Sequence, residues 1–153
     1  MQRLSELFAQ ATEHCHQFVE LLDQEKQALL AQDMAALQAL IDAKTPLILA
    51  LNDAQKAIDA QLQQLGRPAS TSLGDFILEM NDAQLAQQHA AFLNAAQACH
   101  DANLRNARLI RHSQHITGNL LDLLRNQGET SLNVYDRQGN ASRAPSGRPI
   151  SRA

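Results

Sequence analysis

Leu4, Phe8, Ala11, Cys15, Phe18, Leu22 and Leu29 recur at steps of 4, 3, 4, 3, 4 and 7, and Glu25 stands at the one position where the repeat lacks an apolar residue. A heptad-like seam of this kind folds as an α-helix, here about residues 2–31, and needs a second helix laid along it. Leu7 and Leu21 widen the stripe on one side. A bulky or stacked-β core is not on offer, because aromatics make up 3% of the chain, with no Trp and one Tyr. Ala, Leu and Gln, all good helix formers, take their place. At 153 residues the chain fits one domain. The expected fold is therefore all-α: an elongated antiparallel helical bundle or coiled coil of about three long helices plus a short connecting helix, followed by a flexible C-terminal tail.

Asp33 reads as the N-cap of a second helix, its carboxylate accepting from the orphan N–H groups of the first turn. The other reading is one continuous helix through it. Helix two is expected to run to about Leu65 along Leu37, Ile41, Ile48, Leu51, Ile58, Leu62 and Leu65. Pro46 falls inside this span, removes a backbone donor and crowds the preceding turn, so a kink or local break is expected near residues 43–45. Gly66-Arg67-Pro68 ends the helix. Ser72-x-x-Asp75 opens a short helix carrying Phe76, Ile77 and Met80, and Asn81-x-x-Gln84 is a second capping box. From there a helical pattern continues to about Gln127, interrupted only by Gly118; unbroken, it would be ~70 Å long at ~1.5 Å per residue.

Beyond Gly128 the composition shifts, with three of the six glycines and two of the four prolines falling in the last 26 residues. This stretch carries Arg137, Arg143, Arg148 and Arg152 against Glu129 and Asp136, so it is +2, and the net charge of −3 leaves −5 on the rest. Its low hydrophobicity predicts disorder in isolation. The expected division is a helical bundle over 1–127 and a flexible client-binding tail over 128–153. The acidic net charge argues against nucleic acid and acidic membranes as partners. Cys15 and Cys99 are too few for a disulfide framework. The N-terminus has no continuous apolar stretch and nowhere do 18 apolar residues run together, which speaks against secretion and membrane insertion. The cytoplasm is the expected location.

His14-Cys15-His16, Cys99-His100 and His112-x-x-His115 are the candidate metal clusters. Consecutive helical residues point apart, and two histidines at i, i+3 fall short of the three or four ligands zinc takes. Surface histidines and buried thiols account for them, and no metal or cofactor is expected. Gly-rich phosphate loops, G-x-S-x-G and HExxH are absent, so no enzyme activity is expected. Arg105, Arg108, Arg111, His112 and His115 form a basic run, read as a solvated face because it lacks the interleaved aromatics of a nucleic-acid groove.

The informative stretch is the end of the last helix. Leu109, Ile110, Ile116, Leu120, Leu121, Leu123 and Leu124 cover an arc of roughly 160° at ~100° per residue. A two-helix seam needs less. The surplus faces either a third helix of the same bundle or an amphipathic helix from a partner.

Four segments in order resemble the FlgN family of flagellar export chaperones. They are Leu22-Asp23-x-Glu25 followed by Lys44 before Leu47 and Ile48; Asn103-x-x-Asn106-x-x-Leu109-Ile110; Val134-Tyr135-Asp136-Arg137-Gln138-Gly139; and the basic end Arg148-Pro149-Ile150-Ser151-Arg152. The resemblance implies a cytoplasmic type III export chaperone. It would bind the C-terminal helices of flagellar hook–filament junction proteins, prevent premature assembly and deliver them to the flagellar export machinery. It also implies that the client-binding part lies toward the C-terminus, on the wide apolar arc. Ala107, where many relatives carry Gly, and Pro46, inside a helix expected to be continuous, depart from the pattern. Asn103 and Asn106 also read as polar seam residues that fix register. The expected partner-binding residues are Ile116, Leu120, Leu121, Leu123, Leu124, Leu132, Val134 and Tyr135. The alternative is a coiled-coil structural adaptor that self-associates through the same stripe.

Overall fold

The structure, a computed structural model, describes residues 1–131, with side chains to Arg125. Four α-helices follow one another: α1 Gln2–Ala31, α2 Met34–Gln64, α3 Leu73–Glu79 and α4 Ala83–Ser131. The chain divides into two units, Met1–Arg111 and His112–Ala153.

The helix boundaries follow from local chemistry. Gln32 takes a left-handed conformation (φ 55°) after α1, and the Asp33 N–H reaches back to the Ala28 carbonyl at 3.0 Å. Asp33 then caps α2, its Oδ1 accepting from the Ala36 N–H at 3.0 Å, so the chain breaks there and does not continue as one helix. At the far end of α2, Gly66 (φ +76°) repeats the device and the Arg67 N–H bonds the Leu62 carbonyl at 3.1 Å. Ser72 opens α3 by accepting from the Asp75 N–H, while its hydroxyl donates to the Asp75 carboxylate at 2.6 Å. The second box sits one residue later than Asn81-x-x-Gln84 suggests. Asn81 is spent in the left-handed region (φ 51°) closing α3, and Asp82 Oδ1 accepts from the Leu85 N–H at 3.0 Å to start α4. α4 extends four residues beyond the expected end at Gln127.

Pro46 does not break α2, which is helical from Met34 to Gln64. The ring is exposed, and Asp42, whose carbonyl loses its donor to the proline, is exposed as well, so the lost bond is not buried in the core. The Thr45 hydroxyl donates to the Ile41 carbonyl at 3.0 Å in the same turn.

Within Met1–Arg111, α1 and α4 run parallel at a constant offset. Phe8 stacks on Phe92 (centroids 5.7 Å apart), the Cys99 thiol donates to the Cys15 carbonyl at 3.1 Å, and Asn106 Nδ2 donates to the Leu22 carbonyl at 2.7 Å. Each pair is 84 residues apart and each step along the helices is seven, so the seam is a strict heptad register. α2 is antiparallel to both. Lys44 pairs with Glu25, and Leu51 and Ile58 line one cavity with Cys15 and Ala11.

The layers change in character along this register. The apolar core gathers where α1 begins, α2 ends and α3 folds across: Leu4, Phe8, Ala11, Ile58, Leu62, Phe76, Ile77 and Leu85 are buried together. Cys15 and Cys99 form the middle. The third layer is polar. Asn106, 1% exposed, also donates to Glu25 Oε2 at 2.8 Å, and Glu25 Oε1 is held by the Lys44 ammonium. Arg105 closes the set by donating to the Leu22 carbonyl at 3.2 Å and to Asn106 Oδ1 at 3.1 Å and by pairing with Asp23 at 2.8 Å.

This polar layer corrects the register expected for α2. Lys44 must face Glu25, so the inward positions are Leu37, Leu40, Lys44, Leu47 and Leu51, and Ile41 and Ile48 turn outward to solvent. Asn103, paired with Asn106 in the sequence, is exposed and takes no part in the layer.

Two predictions follow from the packing. Asn106→Leu leaves the buried Glu25 Oε2 without its donor and should cost about 2–4 kcal/mol, lowering Tm by roughly 5–15 °C. Replacing Glu25, Lys44 and Asn106 together with apolar residues should recover most of that loss. A neutral Asn106→Leu variant in thermal denaturation would show that Lys44 alone satisfies Glu25.

His89 is buried against Phe8 (centroids 5.3 Å apart), and burial lowers its pKa below the usual 6.5. Unfolding frees the imidazole to take up a proton, so stability is intact above about pH 6.5. It should decline on acidification toward the folded-state value, by at most ~1.4 kcal/mol per pH unit. Denaturant titrations from pH 7.5 to 5 should show this slope reduced in His89→Leu; equal slopes would exclude His89 as its source.

Candidate functional site

Helices α1 and α2 spend their inward faces on one another and on α4. The side chains left for a partner are those with no seam to fill. Ile116, Leu120, Leu121, Leu123 and Leu124 are all exposed, at 45–64% of their surface, on the stretch of α4 that belongs to the second unit. Solvent-facing Leu or Ile is ordinary in isolation, but five within nine residues on one arc form a contiguous apolar stripe. Of the two destinations open to that arc, a third helix within the bundle is not what covers these side chains among the described residues. Leu109 is half-buried and Ile110 exposed, so the arc turns outward gradually. Leu132, Val134 and Tyr135 lie outside the described residues.

A second apolar surface was not foreseen. Leu30 at the end of α1 and Met34, Ile41, Ile48 and Leu49 along α2 are exposed. On the other face of α2, a groove of about 620 Å³ is lined by Leu21, Ala28, Ala36, Leu40 and Ala43. α2 contains an 18-residue window of mean hydropathy 1.4 that is only 6% buried, long and apolar enough by composition to cross a membrane. Its Lys44 is engaged by Glu25 of α1, and its seam residues pack in the bundle. The sequence signal was present as the spacing of seven between Met34, Ile41 and Ile48, but it was absorbed into the wrong face of the helix.

The chemistry-bearing side chains do not assemble into a catalytic or metal centre. Among the described residues no group of three or more His, Cys, Asp or Glu is placed to hold an ion. Of the His14-Cys15-His16 run, Cys15 is buried and His16 is exposed, and His112 and His115 both face solvent. Cys15 and Cys99, 84 positions apart, are brought together across the α1–α4 seam beside a cavity of about 320 Å³. Burial raises both thiols, Cys99 to about 12 with Cys15 adding to the effect, which keeps them protonated and poor nucleophiles at neutral pH. The basic run splits in two: Arg105 is drawn into the polar layer, whereas Arg108, Arg111, His112 and His115 are exposed.

The segments that prompted the family resemblance have distinct roles. Leu22-Asp23-x-Glu25, Lys44 and Asn106 are one hydrogen-bonded layer that fixes the register of three helices. They are structural, and they position α4 within the first unit.

The profile of the FlgN protein family matches residues 1–143. Among solved structures, a flagella synthesis protein FlgN from Pseudomonas aeruginosa is similar, with 32% sequence identity and a TM-score of 0.59 over 78% of this chain and 93% of that one. No curated protein sequence matches the chain. The match over nearly the whole length, with a fold held in common, establishes that the chain belongs to the FlgN family and has a role in flagellar assembly.

Proposed function

We propose that the protein is a cytoplasmic type III export chaperone whose clients are the flagellar hook–filament junction proteins. The client's C-terminal amphipathic helix lies on Ile116, Leu120, Leu121, Leu123 and Leu124, and residues 128–153 extend the interface through Leu132, Val134 and Tyr135. Covering the client helix prevents premature assembly, and the complex is delivered to the flagellar export machinery. The observation that carries this reading is the exposed stripe on α4, in a member of a flagellar assembly family.

The energetics suit a carrier. Burying each Leu or Ile contributes ~1.5–3 kcal/mol before association costs, so five anchors suffice for useful affinity. The same stripe would equally serve self-association, the adaptor reading, and the two differ in whether the client-free chain is a monomer.

Calorimetry tests the proposal. The full chain, titrated with the C-terminal helical segment of a junction protein, should bind 1:1, and a chain ending at Gln127 should bind more weakly. Leu120→Ala with Leu124→Ala should abolish the heat while leaving helix content by circular dichroism near wild type, since both side chains are exposed. No heat from a folded full chain, together with a stable oligomer in light scattering, would replace the chaperone by the adaptor.

A further inference from the structure

Cys15 and Cys99 are nucleophilic side chains that neither the polar layer nor the exposed stripe uses. They share one layer of the parallel α1–α4 seam, and the Cys99 Sγ lies 3.1 Å from the Cys15 carbonyl oxygen. The two thiols interact directly, each altering the other's hold on its proton. Their seam neighbours are small. At the same offset Ala11 falls opposite Ala95 and Phe18 opposite Ala102, and all three alanines are buried. An alanine-lined seam draws two helices together, and a disulfide needs such closeness, with Cα atoms about 4.4–6.8 Å apart. The register is fixed on both sides, by Phe8 on Phe92 one heptad before and by Asn106 on the Leu22 carbonyl one heptad after, so the sulfurs are held abreast.

The pair also has an entrance. Cys15 is buried and Cys99 half-buried, and both line the cavity of about 320 Å³ whose lining includes the exposed Asn52 and Gln55 of α2. A small oxidant entering there meets Cys99 first, with Cys15 behind it. A metal ion fits less well, because among the described residues no third His, Cys, Asp or Glu stands beside the thiols.

We propose that Cys15 and Cys99 are a reversible oxidation site, a thiol pair that peroxide closes into a disulfide joining α1 to α4. The Cys99 thiolate attacks one peroxide oxygen, the O–O bond breaks, and the departing hydroxide takes up the thiol proton as water, leaving a sulfenic acid on Cys99. The Cys15 sulfur attacks that sulfenic sulfur, the S–O bond breaks, and a second water carries away the oxygen with the Cys15 proton. Two thiols thereby lose two electrons and two protons to one peroxide. Capture by Cys15 stops Cys99 short of the irreversible sulfinic acid. The bond closes a loop containing all of α2 and α3 and so stabilises the first unit. Burial raises both thiols and keeps the reaction slow at neutral pH, so the site answers sustained peroxide and ignores brief exposure.

Peroxide treatment of the full chain, followed by mass spectrometry and thermal denaturation, tests this. The folded monomer should lose two hydrogens and both titratable thiols, and Tm should rise by at least about 10 °C, a gain that dithiothreitol reverses. The rate should climb roughly tenfold per pH unit from pH 7 to 9.5 without levelling, as a thiol pushed up to about 12 requires. In Cys15→Ala, a small-for-small exchange, Cys99 should instead gain two oxygens. A sulfinic acid on Cys99 of the wild-type chain, a disulfide between two copies, or an intrachain bond that forms only in denaturant would each overturn the site.

Discussion

The buried contact between Asn106, Glu25 and the Leu22 carbonyl sets the register on which the bundle of the first unit depends. Apolar heptads alone specify it weakly, because Ala- and Leu-rich seams tolerate a slide by one repeat at little cost. A polar group in the seam removes that tolerance, since a shift of seven residues would strand a carboxylate, an amide and a carbonyl in the interior. Lys44 carries the same constraint to α2, and Arg105 ties the rim to Asp23. The buried polar layer adds little net stability compared with apolar side chains of the same shape. What it supplies is uniqueness, which aligns Phe8 with Phe92 and Cys15 with Cys99 two and one heptads away.

Much of this was legible in the sequence, and the failures have physical causes. The heptad of α1, the Asp33 and Ser72 caps and the glycine stop at Gly66 are local signals, and the structure follows them. Glu25 interrupts the heptad because it belongs to the seam as an ion, not because the seam pauses there. An apolar count cannot read a charged residue as an inward position. The same blindness misplaced the face of α2, where Ile41 and Ile48 outscore Lys44 in hydrophobicity although Lys44 is the residue turned inward. Asn81 and Asp82 compete for one cap, and only the backbone decides that Asn81 is consumed by the left-handed turn. Pro46 breaks nothing because both it and the carbonyl it deprives are at the surface.

The candidate site was legible for a simpler reason. An arc of roughly 160° holds more apolar surface than a neighbouring helix covers, whatever the tertiary arrangement. The α1–α2 groove was missed because its lining of Ala and Leu is what any helical hairpin presents. The pairing of Cys15 with Cys99 was also invisible, since it requires the 84-residue offset that only the polar layer defines.

Within the first unit the offset of 84 gives the inward face of α4 an intramolecular use against α1, whereas Ile116, Leu120, Leu121, Leu123 and Leu124 of the second unit are exposed. A chain selected for solubility alone would place polar residues there, because exposed Leu and Ile invite aggregation.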